Sequence, residues 1–264
     1  MSRAAHDTLV AGIAGIGFWA DGLPNWRAAR AFAAGAALPA DAPARPAPQL
    51  LPANERRRAP ASVAVALEVA QAACSDAGVD PASLPSVFAS THGDLAITDY
   101  MCATLAEDPR AISPIRFHNS VHNAAAGYWT IGHGCTRPTT AISAYTATFA
   151  QGLLEALAQL ATGDDAVLLA AYDAEASGPL GTVTRSRGLL GGALVLARGA
   201  GAVRLRATLV DGNAAAGDGP LARHAAGNAG APMLPLFDAL AGGGDLALLD
   251  AGPGRMLRVE FAHG

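Results

Sequence analysis

Residues 147–161 constrain the fold most, because this segment is predicted to be a helix without a polar face. Its apolar side chains lie on nearly every side of the helix, and they are Phe149, Ala150, Leu153, Leu154, Ala156, Leu157, Leu160 and Ala161. A helix of this kind is stable in a folded protein only where other elements cover it all round. We therefore expect a central helix that is buried between layers of other elements.

The rest of the sequence alternates between strand and helix patterns. Continuous apolar runs predict strands buried on both faces at residues 86–90, 166–171 and 191–196. Further strands are predicted at residues 8–16, 139–144, 203–210, 246–250 and 257–261. Helical spacing of apolar residues predicts helices at 26–34, 62–77, 95–106 and from the end of a 112–122 loop to about 133, with a helical turn at 237–240. This alternation favours an α/β fold.

The chain is predicted to form a single domain over residues 1–264. Its core is expected at about 8–210 and a C-terminal extension at 211–264, because the sequence has no internal repeat and no clean linker. Within that extension, residues 211–230 are rich in Gly, Ala and Asn and are expected to be mobile.

Composition excludes several classes of function. Hydrophobic residues make up 51% of the chain and charged residues 15%, which is too apolar for a disordered protein. The excess reflects either an alanine-rich composition or a surface hidden against a permanent partner. A net charge of −4 gives no general attraction to nucleic acid, and no segment has the length and apolarity of a membrane span. Three scattered cysteines fit neither a disulfide framework nor a zinc site, which favours a reducing cytoplasm.

A run of small and apolar residues resembles a known family. The run comprises Ile112-Ser113-Pro114, Asn123 to Gly127, Thr130-Ile131, Gly134, Pro138, Ile142-Ser143-Ala144 and Gly163-Asp164. In this order, without a gap, it resembles the elongating β-ketoacyl synthases, and weaker similarity extends the match to about 200 residues. The chain is most similar to ketosynthase-like N-terminal domain proteins of the chain-length-factor type. The resemblance implies half of a thiolase-like fold, a mixed sheet with a buried central helix and outer helices.

The resemblance also implies that the chain does not condense acyl groups. An active synthase of this family has a nucleophilic cysteine at the start of the central helix, and here that position is Thr146, or Tyr145 if the alignment slips by one. The histidines of this sequence lie in none of the family's C-terminal catalytic motifs. We therefore expect no catalytic residue, no cofactor and no metal.

Several residues are candidates for an interface or an acyl tunnel. By the resemblance, the loop around Arg116 and Phe117 reaches into a neighbouring subunit, where a large side chain would limit the length of the acyl chain. The strand 139–144 matches the strand that pairs across the family's dimer axis. The remaining candidates on or beside these segments are Asn123, Thr140, Ile142, Ala144 and Tyr145. The expected partner is an active ketosynthase in a heterodimer, with an acyl carrier protein as a further candidate.

Alternative interpretations remain at this point. The chain could be an acyltransferase or thioesterase that uses Thr146 or Cys135, or a homodimer that binds acyl chains or carrier proteins. The carboxylates of Asp173 and Glu175 follow a predicted strand, a position where they could act in acid–base catalysis. The favoured interpretation is that they lie in a solvated loop. The expected function is a non-catalytic ketosynthase partner in fatty acid, polyketide or aryl-polyene-like biosynthesis.

Overall fold

The structure, a computed structural model, describes residues 8–199 and 201–263. Its strands are β1 Leu9–Ala20, β2 Ser86–Ala89, β3 Thr139–Ile142, β4 Ala166–Asp173, β5 Leu190–Ala197, β6 Val203–Asp211, β7 Leu246–Asp250 and β8 Arg255–His263. Its helices are α1 Trp26–Ala33, α2 Ala53–Arg58, α3 Ala61–Ala77, α4 Leu95–Glu107, α5 Pro114–Asn119, α6 Ala124–His133, α7 Thr148–Thr162, α8 Leu180–Val183, α9 Pro220–His224 and α10 Leu234–Gly242.

The strands form one sheet in the order β3-β2-β4-β5-β1-β6-β8-β7. Strand β2 runs parallel to β3 and β4, whereas the pairs from β4 to β7 are antiparallel. The sheet is therefore mixed, as the family resemblance implied. The C-terminal ends of β2, β3 and β4 meet at one end of the sheet, where ligands commonly bind in α/β folds.

Helices cover the two faces of the sheet with separate apolar clusters. Helices α3 and α6 pack on one face, while α1, α7 and α10 pack on the other. The central helix α7 buries Phe149, Leu153 and Leu157 against the sheet. The expectation that α7 is covered on every side is wrong for the single chain, because Ala158 is exposed and Glu155 is only half buried. No second layer lies over that side of the helix in the described chain.

Glycines in β1 allow α3 to approach the sheet closely. A Cβ atom on Gly17 would lie 1.9 Å from the carbonyl oxygen of Val69, and one on Gly15 would lie 2.2 Å from that of Ala73. The predicted strand stopped at residue 16, but β1 continues to Ala20 because Gly17 lies in extended backbone against α3 and begins no turn. The glycines therefore serve helix–strand packing.

Two segments predicted as irregular contain helices. Residues 112–122, expected to form a loop, include α5, because Pro114 at the first helical position favours helix initiation. The 211–230 segment, expected to be mobile, includes α9 and the buried Asn228. Across the described residues, the structure contains no helix that is both long and apolar enough for a membrane span.

Candidate functional site

The connection from β3 to α7 forms a strained turn. It contains a 3₁₀ turn, Tyr145–Ala147, and Tyr145 has a φ of 54°, the one positive φ of a non-glycine among the described residues. Thr148 holds the turn from within, because its Oγ1 donates to the carbonyl of Tyr145 at 2.7 Å and accepts from the N–H of Ala144 at 2.9 Å. Backbone strain of this kind costs about 1–3 kcal/mol and is concentrated at functional sites.

Thr146 is exposed on this turn and faces a cleft. The cleft has a volume of about 430 Å³ and is lined by Thr91, His92, Tyr145, Thr146, Arg185 and Asp250, among others. Its residues come from the segments that follow β2, β3, β4 and β6 and from β7 itself. The position matched to the family's nucleophile therefore opens into a cavity large enough for a small molecule.

The carboxylate of Asp173 organises one side of this cleft. Asp173 ends β4 and is 3% exposed. It accepts hydrogen bonds from Ser90 Oγ at 2.9 Å and from the N–H of Thr91 at 3.0 Å, so it fixes the loop that carries His92. Burial raises the pKa of the Asp173 carboxyl, because the charged form loses solvation, although these hydrogen bonds act in the opposite direction.

Asn228 connects the C-terminal part of the chain to the same site. Its side-chain Nδ2 donates to the carbonyls of Asp173, Arg187 and Gly188 at 3.3, 3.0 and 3.3 Å. Asn228 is 5% exposed and is one of the residues that line the cleft. The cleft is therefore built from distant parts of the sequence.

The chemistry that this arrangement supports is limited by Thr146. In the described residues the Thr146 hydroxyl makes no hydrogen bond, so no base is placed to take its proton. His92 lines the same cleft, but no hydrogen bond joins its imidazole to that hydroxyl in the described residues. An unassisted threonine hydroxyl is a poor nucleophile. The cleft can therefore bind a molecule but lacks an activated nucleophile at this position.

Cys135 lies outside the cleft. Its side chain is buried, and its Sγ lies 3.5 Å from the carbonyl oxygen of Leu84, before the start of β2. Thr91, which lines the cleft, follows the opposite end of β2. The two nucleophile candidates, Thr146 and Cys135, therefore belong to opposite ends of the sheet.

The interface candidates lie in two regions, on and around the edge strand β3 and on α5. Strand β3, with Thr140 and Ile142, is the terminal strand of the sheet, and its outer edge has no neighbour in the described chain. Ala144 follows directly. On α5, Phe117 is 59% exposed, and the guanidinium of Arg116 lies 4.1 Å from the centre of the Tyr100 ring.

The remaining candidate, Asn123, is an exposed residue that precedes α6 without forming a side-chain cap. Helix α6 packs beside β3, so Asn123 belongs to the same region as the edge strand.

Sequence reasoning missed part of this site. His92 drew no attention because a single histidine after a strand has no distinctive pattern. Asp173 was expected in a solvated loop, and this expectation is wrong, because its side chain is buried. The burial was missed because its hydrogen-bond partners lie 55 to 83 residues away in the sequence. Glu175, two residues later, is exposed as expected. A carboxylate that directly follows an apolar strand was the available signal.

Comparisons with known proteins agree with this fold. A family model described as the β-ketoacyl synthase N-terminal domain matches residues 26–232. Comparison with curated protein sequences gives no match.

Among solved structures, a chain of the ketosynthase ApeO in complex with its chain length factor ApeC from Xenorhabdus doucetiae is 23% identical, with a TM-score of 0.74 over 96% of this chain and 99% of that one. A chain of the ishigamide ketosynthase/chain length factor is 14% identical, with a TM-score of 0.70 over 97% and 99%. The AntDE:AntF complex, a type II acyl carrier protein with its ketosynthase, contains a chain that is 13% identical, with a TM-score of 0.72 over the same shares. The predicted fold class, half of a thiolase-like fold, is confirmed.

Proposed function

We propose that this chain, which belongs to the family of β-ketoacyl synthase N-terminal domains, is a non-catalytic partner subunit of an active ketosynthase. Its inferred role is that of a chain length factor. The partner supplies the nucleophile and carries out condensation, while this chain supports the partner and helps to set the length of the product.

One observation carries the proposal. At the start of α7, where the family resemblance places the nucleophilic cysteine, the chain has an exposed threonine whose hydroxyl has no base beside it in the described residues. The chain has the strained turn and the cleft at this position, but it lacks the cysteine thiol that would react. Loss of the nucleophile with retention of its setting is what we expect of a subunit that kept the fold for assembly.

Exposed apolar side chains on α5 and α6 support a permanent partner. Four large apolar side chains on α5, on α6 and between them are exposed: Ile115 at 59%, Phe117 at 59%, Val121 at 48% and Ile131 at 80%. Exposed large apolar side chains and an unpaired strand edge are both typical of a surface buried in an assembly. The solved structures with similar folds include complexes of a ketosynthase with its chain length factor.

The likeness to such complexes extends the proposal to the pathway class. We infer a place in polyketide, fatty acid or aryl-polyene-like biosynthesis, where an acyl carrier protein delivers the chain to the ketosynthase. Phe117 is the side chain proposed to limit product length. We place the protein in the cytoplasm, in keeping with three cysteines that are all free thiols.

Affinity purification of the tagged chain from its source cells tests this function. A ketosynthase with an intact cysteine and two catalytic histidines, recovered in equal amount and identified by mass spectrometry, is the expected result. A chain that is recovered alone would contradict the proposal and favour a homodimer that binds acyl chains.

A further inference from the structure

Tyr145 combines two features that contacts within the described chain do not explain. Its φ of 54° lies in the left-handed region, which a bulky side chain rarely adopts. Tyr145 is also 65% exposed, so the ring is not part of the core, whose packing could hold the backbone in this conformation. A tyrosine at this position therefore makes the single chain less stable than a residue that tolerates a positive φ, such as asparagine.

The ring has no specific partner in the part of the chain that the structure describes. There the hydroxyl of Tyr145 makes no hydrogen bond, and the ring neither stacks on another aromatic side chain nor lies beside an arginine. The backbone, in contrast, is held in place, because Oγ1 of Thr148 donates to the carbonyl of Tyr145 at 2.7 Å. The turn therefore fixes the direction in which an unpartnered ring leaves the backbone.

A strained residue of this kind persists where its side chain serves a function. An exposed aromatic ring on a fixed backbone is well suited to binding, since little conformational entropy is lost when a partner buries it. Tyrosine is also enriched among the side chains that contribute most to protein–protein affinity. The strain is therefore explained if a molecule outside this chain buries the ring.

The position of the ring indicates which molecule that is. Tyr145 follows β3, whose last residue is Ile142 and whose outer edge has no neighbour in the described chain. Ser143 and Ala144, between the strand and the ring, have small side chains, so Tyr145 is the large side chain at this end of the edge. A chain that pairs with the open edge of β3 lies about 4.8 Å from it, which is within the reach of a tyrosine side chain.

A ligand in the Thr146 cleft accounts for the ring less well. Tyr145 contributes to the wall of that cleft, yet most of its surface is open to solvent. A small molecule in the cleft would cover only the face of the ring that lines it. A protein surface that lies against the edge of β3 would cover the remainder.

We propose that the ring of Tyr145 is an anchor that the ketosynthase partner buries beside the open edge of β3. The inference rests on the proposed function for the existence of that partner. It gives Tyr145 a specific role at the interface, and it explains why the turn before α7 contains a strained tyrosine.

The variant Tyr145→Asn tests the proposal through two measurements. Asparagine adopts a positive φ more readily than tyrosine, so the thermal midpoint of the chain on its own should stay unchanged or rise. The same change should weaken binding to the ketosynthase by at least about tenfold, measured by titration calorimetry, because the buried aromatic anchor is lost. Tyr145→Phe keeps the ring and should bind like wild type.

A matched control introduces the same residue elsewhere. Val10 is 63% exposed on β1, which is separated from β3 in the sheet by β2, β4 and β5. Val10→Asn should leave the affinity for the ketosynthase unchanged. The control thereby separates the loss of the ring from the general effect of a new exposed asparagine.

Several results would overturn the proposal. Unchanged affinity of Tyr145→Asn would reject the anchor and leave the proposed function in place. A loss of affinity that merely follows a fall in the thermal midpoint would mean that the ring stabilises this chain instead. Equal losses for Tyr145→Asn and Tyr145→Phe would mean that the hydroxyl, and not the ring, makes the contact. If the wild-type chain binds no ketosynthase at all, the proposed function fails and this inference fails with it.

Cross-linking identifies the partner of the ring directly. A photoreactive benzoylphenylalanine in place of Tyr145 should capture a peptide of the ketosynthase in the assembled complex, because this position is 65% exposed in the single chain. Capture of a small acyl molecule or of the carrier protein alone would contradict the proposal.

Discussion

The buried carboxyl of Asp173 shows how a single residue shapes the candidate site. It holds the loop after β2 through Ser90 and Thr91, and Asn228 donates to its backbone carbonyl, so three distant segments meet at one residue. Desolvation raises its pKa, so this arrangement is less favourable when the group is charged.

Asp173 should give the chain a pH-dependent stability. Between the usual aspartate pKa of about 4 and its raised value in the folded state, the folded protein keeps a proton that the unfolded chain has lost. The contribution of this group to the free energy of unfolding therefore decreases as pH rises through that window. Above the window this contribution no longer changes with pH. Asp173→Asn should remove this decrease. Urea unfolding over a pH series measures it, and parallel curves for the two proteins would contradict the account.

Phe117 should limit the length of the product. The variant Phe117→Ala removes an exposed ring from α5 and should shift the products of the assembled complex toward longer chains, measured by mass spectrometry of the released acyl groups. Leu246→Ala is the control, because Leu246 is similarly apolar and 45% exposed but lies on β7, at the opposite edge of the sheet. An unchanged product distribution for Phe117→Ala would remove this residue from chain-length control.

At the level of single residues, the sequence singled out Thr146, whose match to the family's nucleophile position stays a prediction, and it misjudged the burial of Asp173. Thr146 follows from an ungapped resemblance, which needs no knowledge of contacts. The burial of Asp173 depends on Ser90, 83 residues away, and on the folding of residues 211–230 over the sheet. Local patterns carry no information about such long-range partners.

Among the elements, the packing of β1 against α3 depends on glycine. Gly17→Ala would place a Cβ atom 1.9 Å from the carbonyl oxygen of Val69 and should destabilise the chain by about 3 kcal/mol. Gly127→Ala is a matched control, because nothing lies within 4 Å of that position in α6 and alanine favours a helix by about 1 kcal/mol. Denaturant unfolding of both variants checks this, and equal stability of the Gly17→Ala variant and wild type would contradict the packing.

The edge of β3 should be essential for assembly. The carbonyls of Pro138 and Ile142 accept bonds from Ser86 and Ser90 on the β2 side, so the backbone groups of Ala141 point to the open edge. Ala141→Pro removes the outward N–H and should weaken the heterodimer at least about tenfold, with little effect on the fold, because proline is tolerated at sheet edges.

The control for this edge is Ala141→Ser, which keeps the N–H and should bind like wild type. Affinities measured by titration with the ketosynthase decide the question. Equal affinities of the two variants would mean that the strand edge is not part of the interface.

Long elements were predictable because their periodicity is local. Helices α3, α4 and α6 and strands β2 and β7 were predicted to within one or two residues. Helix α5 was missed because its six residues show no apolar periodicity, and only Pro114 marks its start. The extension of β1 to Ala20 was missed because the packing of Gly17 against α3 is a tertiary contact.

For the whole molecule, the open side of α7 and the exposed apolar residues of α5 and α6 point to assembly. The sequence predicted a helix covered all round, and in the single chain α7 is covered mainly by the sheet and its neighbours on one side. In the proposed complex a partner would cover more of the chain, so an apolar sequence pattern can describe burial that the lone chain lacks.

Native mass spectrometry of the chain co-expressed with its ketosynthase tests this most directly. We predict one dominant species whose mass is that of one ketosynthase plus one 26.4 kDa chain. Homodimers of this chain, at twice 26.4 kDa or about 53 kDa, together with a separate ketosynthase homodimer, would contradict the central claim.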